Sequence, residues 1–125
     1  MSEPIELVRQ FCAAWGDGTD VDSIVAYFAD DAVYHNIPVD PVTGREAIKA
    51  TIAMFTTGVE GIEFVMHNIA AHGDIVMTER VDIFRYAGGK TIELPVMGTF
   101  EVRDGKIVAW RDYFDLNQYM SQLQA

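Results

Sequence analysis

The sequence predicts an α+β domain: a curved antiparallel or mixed sheet forming a cone, with three to four helices packed on its concave side. Three observations carry that expectation. Apolar residues recur at helical spacing in the early segments, and the period changes to two from Gly61 onward. The later segments are separated by the turn signals HGD, GGK and RDGK. With 125 residues, the chain reads as one domain, 1–125, long enough for a single core and too short for two.

Residues 3–15, EPIELVRQFCAAW, place Ile5, Val8, Phe11 or Cys12 and Trp15 at helical spacing. Pro4 suits a first turn and Gly16 is a stop signal. VDSIVAYFA reads as a second short helix, with Asp20 as N-cap and Ile24, Tyr27 and Phe28 inward. DDAVYHNIP reads as a short strand ended by Pro38. The loop VDPVTGR leads into a third helix, REAIKATIAMFTTG, with Ile48, Ile52 and Phe55 on one stripe. Four successive strands follow: IEFVMHNIAAHG, IVMTERVDIFRYAGG, TIELPVMGTFEVRDG and KIVAWRDYFDL. Pro95 and Gly98 predict a bend or bulge in the third of these, and NQYMSQLQ predicts a short closing helix. Curvature gives such a sheet a mouth that can hold a small molecule.

Composition narrows the partners. A formal net charge of -10 argues against nucleic acid and against an anionic membrane surface, and leaves a neutral ligand open. The single cysteine, Cys12, cannot form an internal disulfide and reads as a buried structural thiol. No stretch approaches the roughly 20 apolar residues of a membrane helix. MSEPIEL lacks the basic start of a signal peptide, so a cytoplasmic location is the default expectation. His67 and His72 have no metal-ligand spacing to nearby Cys, Asp or Glu, so no metal is expected.

Charge placement is the unusual feature. In TERVDIFR, alternation puts Thr78, Arg80, Asp82 and Phe84 on one strand face. In KIVAWRDYFDL, Val108, Trp110, Asp112 and Phe114 share a face, so Asp112 is flanked by aromatics. In VYHN, Tyr34 and Asn36 share a face and His35 points to the other, as a structural residue. Five polar groups can therefore converge: Tyr34, Asn36, Arg80, Asp82 and Asp112. A buried charge must pair or change protonation state, and one guanidinium can hold a carboxylate on each side. Repulsion and desolvation then raise one carboxyl, leaving an acid and a base in one site. A salt-bridge network with no catalytic role has the same spacing and remains open at this point.

TERVD, WRDYFDL and the Y-x-N-x-P of Tyr34–Pro38 together resemble the limonene-1,2-epoxide hydrolases, a branch of the NTF2-like, cystatin-like folds. The similarity runs from about Val33 to Leu116, with the GR before the third helix and the GK before the fourth strand. The chain is shorter at its N-terminus than well-known members of that family.

The resemblance implies one-step, cofactor-free hydrolysis of an epoxide to a vicinal trans diol, without a covalent intermediate. Asp112 would be the general base on the attacking water, which Tyr34 and Asn36 would hold. Asp82 would be the protonated acid, and Arg80 would bridge the carboxyls. The substrate would be a small hydrophobic epoxide, terpene-like or cycloaliphatic. Met54, Phe55, Leu94, Val96, Met97, Trp110 and Phe114 are the candidate lining, with ordinary core packing as the alternative for each. The resemblance also implies a homodimer formed through a sheet face, which outward apolars such as Tyr113 would suit.

Two other readings share this fold. A ketosteroid-isomerase-like or polyketide-cyclase-like enzyme would move a proton beside a carbonyl, although an arginine between two aspartates disfavours it. A non-catalytic domain would use the cone only to bind a small ligand.

Overall fold

The computed structural model describes residues 3–125 as one six-stranded sheet and four helices. In chain order these are α1 (Pro4–Ala13), α2 (Val21–Val25), β1 (Phe28–Asn36), β2 (Val42–Thr43) and α3 (Arg45–Phe55). They are followed by β3 (Val59–His72), β4 (Ile75–Tyr86), β5 (Thr91–Arg103), β6 (Lys106–Tyr113) and α4 (Leu116–Gln124). The strand order is β2-β1-β6-β5-β4-β3. β1 runs parallel to β6 and every other pairing is antiparallel, so the sheet is mixed.

The α+β expectation holds, and the boundaries move. Phe28 leaves the second predicted helix and opens β1 as the partner of Ile107. Its side chain is fully buried there. Val42 and Thr43, expected in a loop, pair with Tyr34 and Val33. Pairing with Tyr86 draws Val59 into β3, earlier than the period-two signal began.

The expected bulge at Pro95 and Gly98 is absent. The β4–β5 register runs without a shift from Ile75↔Glu101 to Arg85↔Thr91. Pro95 lies beyond the last β6 partner, Met97↔Tyr113, where a missing N–H leaves no gap on that side. The irregularity sits instead between Glu101 and Val102, opposite Val108. That bulge turns Ile107 inward in place of Val108, which was expected to share the face of Trp110. The predicted turn at RDGK forms, with Asp104 (φ 53) and Gly105 (φ 74) between the paired Arg103 and Lys106.

α1 buries Leu7, Val8, Phe11 and Cys12 and packs across β3, β4 and β5. Phe11 meets the edges or faces of Trp15, Tyr27, Phe28, Phe100 and Trp110 at centroid distances of 5.0–5.8 Å. This aromatic cluster packs between α1 and the sheet. Trp110 belongs both to it and to the lining of the neighbouring cavity.

Candidate active site

Register builds the site as rows across the sheet. Tyr34, Trp110 and Phe100 are successive partners on β1, β6 and β5. Their rings stack, with Trp110 4.4 Å from Tyr34 and 5.4 Å from Phe100, each at 15°. The stack holds the indole plane, and Nε1 donates to Asp112 Oδ1 at 2.7 Å. One row on, Asn36, Asp112, Gly98 and Thr78 are successive partners across β1, β6, β5 and β4. Asp82 stands further along β4, between Leu94 and Phe64.

Arg80 joins the rows. It is 1 % exposed, and Asp82 and Asp112 are 4 % exposed each. Nε and Nη2 donate to Asp82 at 2.9 and 2.8 Å, while Nη1 and Nη2 donate to Asp112 at 3.3 and 2.9 Å. The Phe64 ring covers the guanidinium at 4.7 Å. Burial alone would lower the pKa of Arg80, but the two aspartates outweigh it and hold the group cationic. Burial pushes the Asp82 carboxyl up to about 6, against the pull of Arg80 and with help from Asp112. Asp112 accepts three hydrogen bonds, two from Arg80 and one from Trp110, and Asp82 accepts two. A shared proton is therefore less costly on Asp82.

Tyr34 donates its hydroxyl proton to Asn36 Oδ1 at 3.2 Å. Burial raises the phenol well above its ordinary pKa, so it stays neutral. With that proton committed, Tyr34 offers lone pairs to a third group, and the Asn36 amide offers N–H donors.

These groups open onto a cavity of about 250 Å³. Tyr34, Asn36, Asp82 and Asp112 line it, together with Met54, Phe55, Leu94, Val96, Trp110 and Phe114. Arg80 is behind the surface they form. Met97 is a correction: it is 52 % exposed on the outer face, because residues 96 and 97 of one strand cannot both point inward. The sequence reading missed Val39, Phe64, Phe84, Leu116 and Tyr119, which complete the wall. Phe84 was legible, two residues from Asp82 on the same face. Phe64 depends on pairing with Asp82. Val39, Leu116 and Tyr119 come from a turn and from α4, which no strand period signals. Among the described residues, no group of three or more His, Cys, Asp or Glu could hold a metal ion.

The model of the limonene-1,2-epoxide hydrolase catalytic domain matches residues 2–125. The chain belongs to the limonene-1,2-epoxide hydrolase family. It is 39 % identical over 97 residues to the epoxide hydrolase EphG of Mycobacterium tuberculosis. That match covers 78 % of this chain and 64 % of EphG, so the chain spans under two thirds of that relative's length. The structure of an M. tuberculosis epoxide hydrolase, described as similar to limonene-1,2-epoxide hydrolases, superposes with a TM-score of 0.81 at 34 % identity. The superposition covers 97 % of this chain and 89 % of that one. An NTF2-like protein of unknown function from Burkholderia pseudomallei superposes with a TM-score of 0.83 at 17 % identity, over all of both chains. That last likeness shows the NTF2-like fold alone.

Proposed function

We propose that the protein hydrolyses small apolar epoxides to vicinal diols in one step, with Asp112 as base and Asp82 as acid. The observation that carries this reading is the buried Arg80, hydrogen-bonded to both carboxyls at the polar end of an otherwise apolar cavity.

The chemistry balances at named atoms. A water accepts one hydrogen bond from the Asn36 amide and gives one to Tyr34 Oη. Its second proton points to Asp112, and its remaining lone pair attacks the epoxide carbon. As the new C–O bond forms, the ring C–O bond breaks, and the departing oxygen takes the proton of Asp82. Asp112 has gained a proton and Asp82 has lost one, so solvent resets the pair after the diol leaves. Attack opposite the breaking bond makes the diol trans on a cyclic substrate. No side chain bonds to carbon, and the scheme needs no cofactor. Fixed placement of water, acid and base supplies most of the rate, because ring strain leaves little else to drive.

The cavity volume supports a small substrate. About 250 Å³ lies below the 300–1,000 Å³ of sites for drug-sized ligands, so a monoterpene-sized or cycloaliphatic epoxide suits it better than a steroid. Incubation of an epoxide panel in labelled water tests the reading. A single labelled oxygen in each trans diol is the expected result, and an absence of diol from every epoxide overturns it.

We also propose that the outer sheet face pairs two copies. Met77, Met97 and Tyr113 are about half exposed there, and Met97 and Tyr113 are cross-strand partners. Sedimentation at micromolar concentration should give a dimer, and Met97→Glu should give a monomer.

A further inference from the structure

Arg80 has five N–H donors, and the two carboxyls engage four of them. The fifth goes to an uncharged residue: Nη1 donates to Thr78 Oγ1 at 3.0 Å. Thr78 is 1 % exposed, and its own hydroxyl proton is directed at the Gly98 carbonyl, 3.4 Å away.

Gly98 lies between the two groups that Arg80 must reach across. Its partners are Thr78 on β4 and Asp112 on β6. Arg80 is opposite Val96, so its guanidinium has to turn along the sheet and cross β5 to reach Asp112. A Cβ at position 98 would overlap Arg80 Nη1, and would lie 2.6 Å from Asp112 Oδ1 and 2.9 Å from Thr78 Oγ1. The backbone of Gly98 is not in the left-handed region, so glycine is required here for space and not for conformation. With Phe64 covering the guanidinium from β3, the cation has a floor, a back wall and a lid.

We propose that Thr78 and Gly98 are positioning residues, forming a slot that holds the Arg80 guanidinium across β5 so that one cation orients both carboxyls. The part of this inference that concerns rate rests on the epoxide-hydrolase reading. The slot itself does not. A valine at 78 would keep the shape and leave one guanidinium N–H unpaired in a fully buried place. The cation would then loosen from the carboxyls, and Asp82 would bind its proton more tightly, because Arg80 is what opposes that proton. The groups that act on Asp82 are Arg80 on its own strand and Asp112 on β6. Tyr34 on β1 and Cys12 on α1 lie within range of the same charge.

The test pairs Thr78→Val with Thr78→Ser, and reads both kinetics and the carboxyl titration of Asp82 by carbon NMR. The expected result for Thr78→Val is a fall in kcat of about 10-fold or more with KM unchanged, together with an upward-shifted Asp82 midpoint. Thr78→Ser should restore both. Gly98→Ala, which crowds the slot, should move the midpoint in the same direction. Parental kcat and midpoint in Thr78→Val overturn the inference. So does an equal loss of kcat in both Thr78 variants with an unmoved midpoint, which reports packing alone. If the parent protein hydrolyses no epoxide, the reaction reading fails and the titration decides the slot alone: a raised midpoint in Thr78→Val supports it, and an unmoved one overturns it.

Discussion

Asn36 and Asp112 are register partners across β1 and β6, the one parallel pairing in the sheet. One residue sits near the end of the first strand and the other near the end of the last. Parallel alignment places their side chains on the same face with no loop between them. Strand backbones are stiffer than loops, so an amide that can hold a water is kept beside a carboxyl that can take its proton. The stacked Tyr34 and Trp110 form the adjacent pair and fix the orientation of both.

Asp112→Asn and Asp82→Asn should each lower kcat for diol formation by about 10² to 10⁴-fold, the range of a lost general base or acid. Both amides keep the size of the native group, so far-ultraviolet circular dichroism should be unchanged. Parental turnover in either variant removes the role assigned to that residue.

Activity should fall as pH rises through about 6, where Asp82 loses the proton that the proposed mechanism has it donate. The sign for stability follows from the same shift. Folded Asp82 keeps a proton up to about 6 that an unfolded aspartate releases near its ordinary value of 3.8. Its contribution to stability is therefore present at low pH and is lost as pH rises through about 6. A kcat profile recorded from pH 4 to 9 checks the first statement, and Asp82→Asn should flatten its alkaline limb.

Arg80→Ala should destabilise the fold by about 3–5 kcal/mol at pH 7, because two buried carboxyls lose their cation. The loss should shrink at pH 4, where Asp82 is protonated and one buried negative charge is gone. Urea unfolding at the two pH values measures the difference, and equal losses would show that packing of the arginine stem dominates.

Val96→Ala and Met97→Ala separate the two faces of β5. Val96 is 3 % exposed and lines the cavity, and Met97 is on the outer surface. Val96→Ala should change KM and the ratio of rates between small and bulky epoxides. Met97→Ala should leave KM and that ratio at their parental values.

Much of the site is written in strand parity. The spacing of Thr78, Arg80, Asp82 and Phe84, and of Trp110, Asp112 and Phe114, follows from the two-residue repeat of an extended chain. The acidic composition and the charged inner face were equally legible. Boundaries were less so. Phe28 has helical spacing with Ile24, yet it opens β1, because pairing with Ile107 overrides a local signal of a few residues.

The sequence by itself determined which side chains alternate together, because that depends on backbone geometry within a few residues. Tertiary structure alone decided that β1 lies parallel to β6, that a bulge turns Ile107 inward, and that Met97 faces outward while Val96 faces in. It also decided that Val39 and α4 help line the cavity, and that Gly98 leaves the room in which an arginine crosses. Register and pairing partner are set by contacts between distant segments, and a shift of one residue would turn every side chain of a strand to the other face.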